Sequence, residues 1–397
     1  MKEEKNHCII CNLNSCSYIY AFLLPISCMC IHFFQDKMFE ISKPENSFKM
    51  LKYNLPLLFY YFLPKIFSII FIIIIKFTTK EESETKEPNK LLRRYHFFIT
   101  SENKKKIYFL IFFISILEVI YKIDDSLLIY LNKIKKIQKL VEKRSGFIIF
   151  VPLFSYFILN KILYKHHIFA LILAIIGSLI INISRFCLGL SLLAEFFYHL
   201  INILFSSFFS FALVLTKYVM VKYIITPYNF LFYDGIFCII NSLICVLLEY
   251  VVVINIKDSD YNYKLQNENE NYFINNYYEI INIFIDQDSK FYLYFFLSMI
   301  AAFSYFIFNI LTLFYFSPYL NVLTDFLTPF LLFNVTFFSK ENNEIEVYQF
   351  FCENIGFALV ILGALILNEI IILNFCNLNE NTYLSIPVAE ELIRLII

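Results

Sequence analysis

The sequence predicts an all-α integral-membrane protein, with ten transmembrane helices arranged as two inverted five-helix repeats. Three observations lead there. Of 397 residues, 59% are hydrophobic, with 49 Phe and 29 Tyr, whereas a soluble domain is ~45–50% apolar. Several apolar stretches reach about 18 residues or more, the length at which a helix crosses the hydrocarbon of a bilayer. The third observation is a recurrence. Gly177-Ser-Leu-Ile-Ile-Asn182 closes one apolar run and Gly363-Ala-Leu-Ile-Leu-Asn368 closes another. Before them stand Pro152-LFSYFILNK and Pro329-FLLFNVTFFSK.

In chain order, the expected spans are 17–35, 54–77, 105–123, 144–161, 167–185, 195–221, 227–254, 290–314, 317–338 and 347–374. They are read as helices because lipid offers no partner to backbone polar groups. A closed barrel would need short alternating strands, and these runs are long and continuously apolar. The N-terminus is not a clean signal peptide, since Glu3 and Glu4 sit in its charged region, so 17–35 is read as a retained first helix. Cys8 and Cys11, with His7 beside them, have half of a zinc-binding spacing. No second pair follows, and the expectation is free thiols with no metal. The segments 78–104 and 255–289 are polar loops, and 375–397 is a C-terminal tail holding one short amphipathic stretch from Ser385. Residues 124–143 are too polar to face acyl chains. They fit either an interfacial helix or the ends of helices three and four around a wet cavity.

The repeats run 17–185 and 195–374. Five spans per repeat is an odd number, so tandem copies must be inverted across the membrane. That arrangement places a binding site near the midplane between the halves. Orientation is divided. Basic residues in 78–106 and in 133–144 flank a single span, so they point to opposite sides. If the second cluster lines a cavity, loop 78–104 and both termini are cytosolic.

The stretch Arg144-Ser-Gly-Phe-Ile-Ile-Phe-Val-Pro-Leu-Phe-Ser through Lys161-Ile-Leu resembles the fourth helix of the drug/metabolite transporter superfamily. It looks most like the F branch of the solute carrier 35 family, related to nucleotide-sugar transporters. His166 and His167 fall where that family often has an aromatic residue or His. A second match runs from Lys217 through Pro227 to Tyr233-Asp234-Gly235, where Asp replaces the family's Glu. A third is Ser317-Pro-Tyr-Leu-Asn-Val-Leu-Thr-Asp325-Phe-Leu, similar to the family's ninth helix. The resemblance covers roughly 125–372. Helices one to three match poorly. An acidic residue usual in helix three is out of register, with Glu118 or Asp125 as substitutes. The resemblance implies the drug/metabolite transporter fold and a secondary transporter working by alternating access.

No motif of a soluble enzyme is present: no phosphate loop, no His-Glu-x-x-His and no Gly-x-Ser-x-Gly. The informative residues are ionisable groups inside apolar runs, since a charge at the bilayer centre costs ~2.5–3.5 kcal/mol and needs a cavity or a partner. These are Arg144, Asp234, Asp325, Glu118 and Lys217, taken as candidate substrate-binding residues. Each also has a structural reading. Arg144 and Lys217 sit near enough to helix ends to snorkel, Glu118 fits an i, i+4 pair with Lys122, and Glu369 lies near a helix end. Arg144 and the basic stretch 133–143 favour an organic solute that is anionic or nucleotide-linked. The expected partners are a small-molecule substrate and the lipid bilayer, with a homodimer compatible. A net charge of zero gives no case for nucleic acid. No cofactor is expected. The expected location is an endomembrane: Golgi, endoplasmic reticulum, vacuole or lysosome. The alternatives are an integral-membrane enzyme, which would need His or acidic groups clustered at one membrane face, and a non-transporting scaffold.

Overall fold

A computed structural model describes residues 19–35, 37, 61–74, 103–135, 145–186, 192–258, 287–339 and 347–373. Among these there is no strand. In chain order the helices are α1 (Ile19–Gln35) and α2 (Tyr61–Ile74), then α3 (Lys104–Lys135), α4 (Ser145–Leu159), α5 (Lys165–Phe186), α6 (Leu192–Tyr223) and α7 (Pro227–Asp258). They continue with α8 (Ser289–Tyr315), α9 (Pro318–Ser339) and α10 (Val347–Leu367). Each overlaps one of the stretches expected to be apolar. Among the described residues, four segments are long and apolar enough to cross a membrane: Ile203–Tyr223, Pro227–Cys245, Ser289–Tyr315 and Phe350–Leu367. The ambiguous stretch 124–143 is resolved in part, because α3 continues without a break to Lys135. Cys8, Cys11 and residues 78–102 of the polar loop 78–104 lie outside the described residues, as do most of 255–289 and the tail 375–397.

Local chemistry sets the helix ends. Helices α7 and α9 begin alike, with a hydroxyl residue at the N-cap and Pro at the first helical position, where the missing N–H is no loss. The amide of Asn229 donates to Thr226 Oγ1 at 3.3 Å, and that of Leu320 to Ser317 Oγ at 3.3 Å. Helices α4, α6 and α10 end on residues in the left-handed region: Asn160 (φ 51°), Ile224 (φ 51°) and Glu369 (φ 56°). Behind the last two, the next amide reaches back to close the turn, Ile225 to Met220 O (3.1 Å) and Ile370 to Leu365 O (2.9 Å).

The chain divides into two units. The first comprises Met1–Ile26, Val141–Tyr218 and Leu311–Ile397, and holds α4, α5, α9 and α10. Here α4 packs on α5, α9 on α10, α4 on α9 and, most extensively, α5 on α10. The α5–α10 crossing is built on small residues. A Cβ on Gly177 would lie 2.6 Å from the carbonyl oxygen of Gly356, and one on Gly363 would lie 2.6 Å from that of Ala170. Only backbones stripped of side chains approach so closely, which is how helices gain packing contact where no hydrophobic effect drives them together. The order of contacts reverses along the two helices, so α5 and α10 run antiparallel. The opposite face of α5 carries Ile168, Ile172, Ile176, Leu179 and Ile183, all exposed. Small residues inward and large apolar residues outward is the reverse of a soluble helix, and it suits a face turned to lipid.

The second unit comprises Ser27–Leu140 and Val219–Ile310. It holds α2, α3 and α7, with α3 lying along α7. Asn241 donates to Ser115 Oγ at 2.7 Å across that seam. Phe112 meets Phe237, and Tyr108 meets Tyr233, edge to face. A core of Phe62, Val119 and Cys238 joins α2 to both helices.

Candidate functional site

The site of the second unit begins with a defect in α2. Pro64 lacks the donor that an unbroken helix needs. The helix tightens just beyond it: the amides of Phe67, Ser68 and Ile70 bond three residues back, to Pro64, Lys65 and Phe67, at 3.0–3.2 Å. Lys65 sits at this turn. Its backbone lies against α7 because residue 235 is glycine, where a Cβ would fall 2.7 Å from Lys65 Cβ and 3.2 Å from the amide nitrogen of Ile66. Ser68 donates to the carbonyl of Tyr228 at 3.3 Å and fixes the approach.

This packing puts the Lys65 ammonium between two carboxylates. It donates to Asp234 on α7 and to Glu118 on α3. The Lys65 side chain is 2% exposed, that of Asp234 1% and that of Glu118 21%. The ammonium also lies over the rings of Phe62 and Phe306, 5.2 and 4.9 Å from their centroids, so its uncarboxylated sides face π-clouds. The Cys238 thiol, one turn beyond Asp234, stands 3.8 Å from that carboxylate. One ligand atom each from Glu118, Asp234 and Cys238 fall within 4.8 Å of one another. Those groups suit a metal ion, but the Lys65 ammonium already supplies the cation that bonds both carboxylates.

In the first unit, Lys217 donates to the carbonyls of Phe314 and Phe316 at 2.6 and 2.9 Å. It thereby satisfies acceptors left over at the C-terminus of α8. His166 and His167 open α5 and converge on Glu369, with Nε2 to Oε1 distances of 3.1 and 3.7 Å. The amide of Tyr164 donates to His167 Nδ1 at 3.1 Å, so the proton of a neutral His167 sits on Nε2, facing Glu369. The left-handed conformation of Glu369 costs backbone energy and aims its carboxylate at both rings. Lys161 lies in the connection 160–164, with its ammonium 5.2 Å from the Tyr319 ring centroid. Burial lowers its pKa below the ordinary lysine value, and the Glu369 charge opposes that shift.

Of the candidate residues, Glu118 and Asp234 are brought together. Asp234 is buried against protein rather than turned to lipid, and its counter-ion comes from α2 instead of from its sequence neighbours. The i, i+4 pairing of Glu118 with Lys122 is replaced: Glu118 bonds Lys65, and Lys122 lies over the Tyr61 ring at 3.9 Å. Lys217 belongs to the other unit and caps a helix there. Asp325 lies on α9, with its side chain outside the description, and Arg144 lies outside the described residues. Sequence reasoning missed Lys65. The signal was present, since Lys65 follows Pro64 inside an expected span with no acidic neighbour, as Asp234 stands in its own span without a basic one. It also missed the meeting of His166 and His167 with Glu369. No family model and no curated protein matches the chain.

Proposed function

We propose that this chain is a secondary transporter of the drug/metabolite superfamily type, similar to the solute carrier 35 F branch. In this reading ten spans form two inverted repeats and move a small organic solute across an internal membrane. One observation carries the proposal. The register shift that lays Gly177 on Gly363 also lays Ala170 on Gly356 and Ala174 on Val360. The contact of Gly177 with Gly356 therefore has as its counterpart the contact of Gly363 with Ala170, at the same distance. Likewise, Val360 Cγ2 lies 2.9 Å from a Cβ on Gly177, and Ala174 Cβ lies 3.4 Å from one on Gly363. Helices five and ten of inverted five-helix repeats must run antiparallel, as α5 and α10 do, and such repeats belong to transporters. The buried Lys65–Glu118–Asp234 group adds support, because charges inside spans mark substrate and ion pathways.

The test is uptake by proteoliposomes from a panel of nucleotide sugars, phosphorylated metabolites, amino acids and nucleobases, normalised to inserted protein. Saturable uptake of one class supports the proposal, and no uptake above protein-free liposomes for any class defeats it. The alternative of an integral-membrane enzyme draws on the His166–His167–Glu369 group. That reading predicts turnover of an added solute without its accumulation, which the same vesicles report.

A further inference from the structure

Lys161 and Lys217 bring two ammonium groups to one corner of the first unit, the junction of α8 and α9. Lys217 reaches it from α6 and donates to the carbonyls of Phe314 and Phe316. Lys161 reaches it from the connection after α4 and lies over the Tyr319 ring, 5.2 Å from its centroid. Phe316 and Tyr319 are three residues apart, and the Lys161 charge acts on Lys217. Helix α9 begins at Pro318, so the positive end of its dipole lies at the same corner.

The donors at this corner outnumber their acceptors. An ammonium carries three hydrogens and accepts nothing. Lys217 spends two of its three on the α8 carbonyls. Lys161 makes no hydrogen bond or ion pair among the described residues, and a ring face meets one side of it. Glu369 is the described carboxylate whose charge reaches Lys161, and it is already held by His166 and His167. Glu353 stands roughly four helical turns before Glu369 and so belongs to the other end of α10. Lys165, at the start of α5, is exposed and adds positive charge nearby. Partly buried ammonium groups with open hydrogens suit an anion that accepts from more than one side.

The apolar side chains beside this corner say where such an anion comes from. Phe157 and Ile162, on either side of Lys161 in the chain, are exposed. So is Tyr315, between the two residues whose carbonyls Lys217 caps. Ammonium groups at helix ends, flanked by exposed aromatic and aliphatic side chains, match the headgroup layer of a bilayer. We propose that Lys161 and Lys217 form a binding site for the phosphate of an anionic phospholipid, whose acyl chains lie along Phe157, Ile162 and Tyr315. A phosphodiester offers two charged oxygens that accept and never donate. One takes the open hydrogen of Lys217, and the other takes the Lys161 ammonium. The bound charge also offsets the cost of burying that ammonium. The site does not depend on whether the chain transports a solute.

The experiment is lipid binding to the full chain, stripped of lipid in a neutral detergent. Phosphatidylglycerol is the probe, and phosphatidylcholine with the same acyl chains is its zwitterionic match. Phosphatidylglycerol should raise the unfolding midpoint more than phosphatidylcholine does, because a ligand of the folded form stabilises it. Lys161→Gln should weaken the apparent affinity about tenfold or more, the loss expected for a hydrogen bond to a charged group. Lys161→Arg should keep most of it. Lys105→Gln, an exposed position on α3 in the other unit, controls for diffuse attraction and should change nothing. Native mass spectrometry should find one phosphatidylglycerol retained per wild-type chain and none on Lys161→Gln. Equal effects of the two lipids overturn the inference, as does unchanged affinity in folded Lys161→Gln. A shift produced by inorganic phosphate and not by phosphatidylglycerol also overturns it, because the site then takes a free anion. If Lys161→Gln does not fold, Lys217→Gln and the lipid retained by the wild type still decide. No readout uses uptake, so this result and the transport reading can fail separately.

Discussion

Gly177 and Gly356 meet backbone to backbone: a Cβ on the first would lie 2.6 Å from the other's carbonyl oxygen, and a Cβ on the second 2.7 Å from the first's. Neither helix can accept a methyl group there without moving apart from the other. Gly177→Ala and Gly363→Ala should each destabilise by about 1–3 kcal/mol, the usual cost of overpacking. If the two repeats are equivalent, the two losses should be alike. Thermal unfolding in detergent checks this, and tolerance at one site with collapse at the other would contradict the equivalence.

Ile224 offers the opposite sign. It is a β-branched residue at φ 51°, half exposed, and it ends α6. A left-handed conformation costs an L-residue about 1–2 kcal/mol, a penalty absent for glycine. Ile224→Gly should therefore raise the midpoint of thermal unfolding, with the gain reduced by the greater entropy of glycine in the unfolded chain. A lower midpoint would mean that the exposed side chain matters more than its backbone.

Lys65→Met should be the most damaging single change in the second unit. Breaking a buried ion pair costs about 3–5 kcal/mol because the partner charge is left behind. The sign with pH follows from proton counting. Folding of this variant must either bury two ionised carboxylates or take up protons, so its loss of stability should deepen as pH rises. Adding Glu118→Gln and Asp234→Asn to Lys65→Met should recover most of the loss and flatten the pH profile. Unfolding midpoints across a pH series measure both effects.

Lys217 caps α8 through the carbonyls of Phe314 and Phe316. Lys217→Met should cost about 1–3 kcal/mol by orphaning those acceptors. Uptake per correctly folded molecule should fall far less than the yield of folded protein. A loss of normalised uptake with stability intact would return Lys217 to the substrate.

Arg144 is tested by its fork. If it holds an acidic group of the solute by two parallel hydrogen bonds, Arg144→Lys should transport weakly and Arg144→Gln not at all. Equal normalised uptake in all three forms would make it a headgroup anchor.

The fold was legible wherever burial in lipid leaves one solution. Apolar run length located the helices, and the Gly177 and Gly363 endings marked α5 and α10 as alike, but nothing in them said that the two pack on each other. The candidate site was half legible. Asp234 and Glu118 stood out because a carboxylate in an apolar run is costly. Lys65 did not, because lysines are numerous in this chain and a long aliphatic stem can hide one at a span edge. Which acid pairs with which base depends on three helices far apart in sequence, and periodicity says nothing about that. Gly235 was visible only as part of a resemblance, and its role in admitting the α2 backbone needed coordinates.

The membership of the Lys65 group also fixes an order of assembly. Helices α2 and α3 precede α7 in the chain, and to the Lys65 group they contribute one ammonium and one carboxylate. Those two groups can pair with each other before α7 is made. Asp234 arrives only with α7, more than a hundred residues later, and a nascent chain grows from its N-terminus. The second carboxylate is therefore supplied by the last partner, after the surrounding Phe62 and Val119 are already made. In a chain halted before α7, Lys65 has Glu118 as its carboxylate partner, and the completed chain adds a second one.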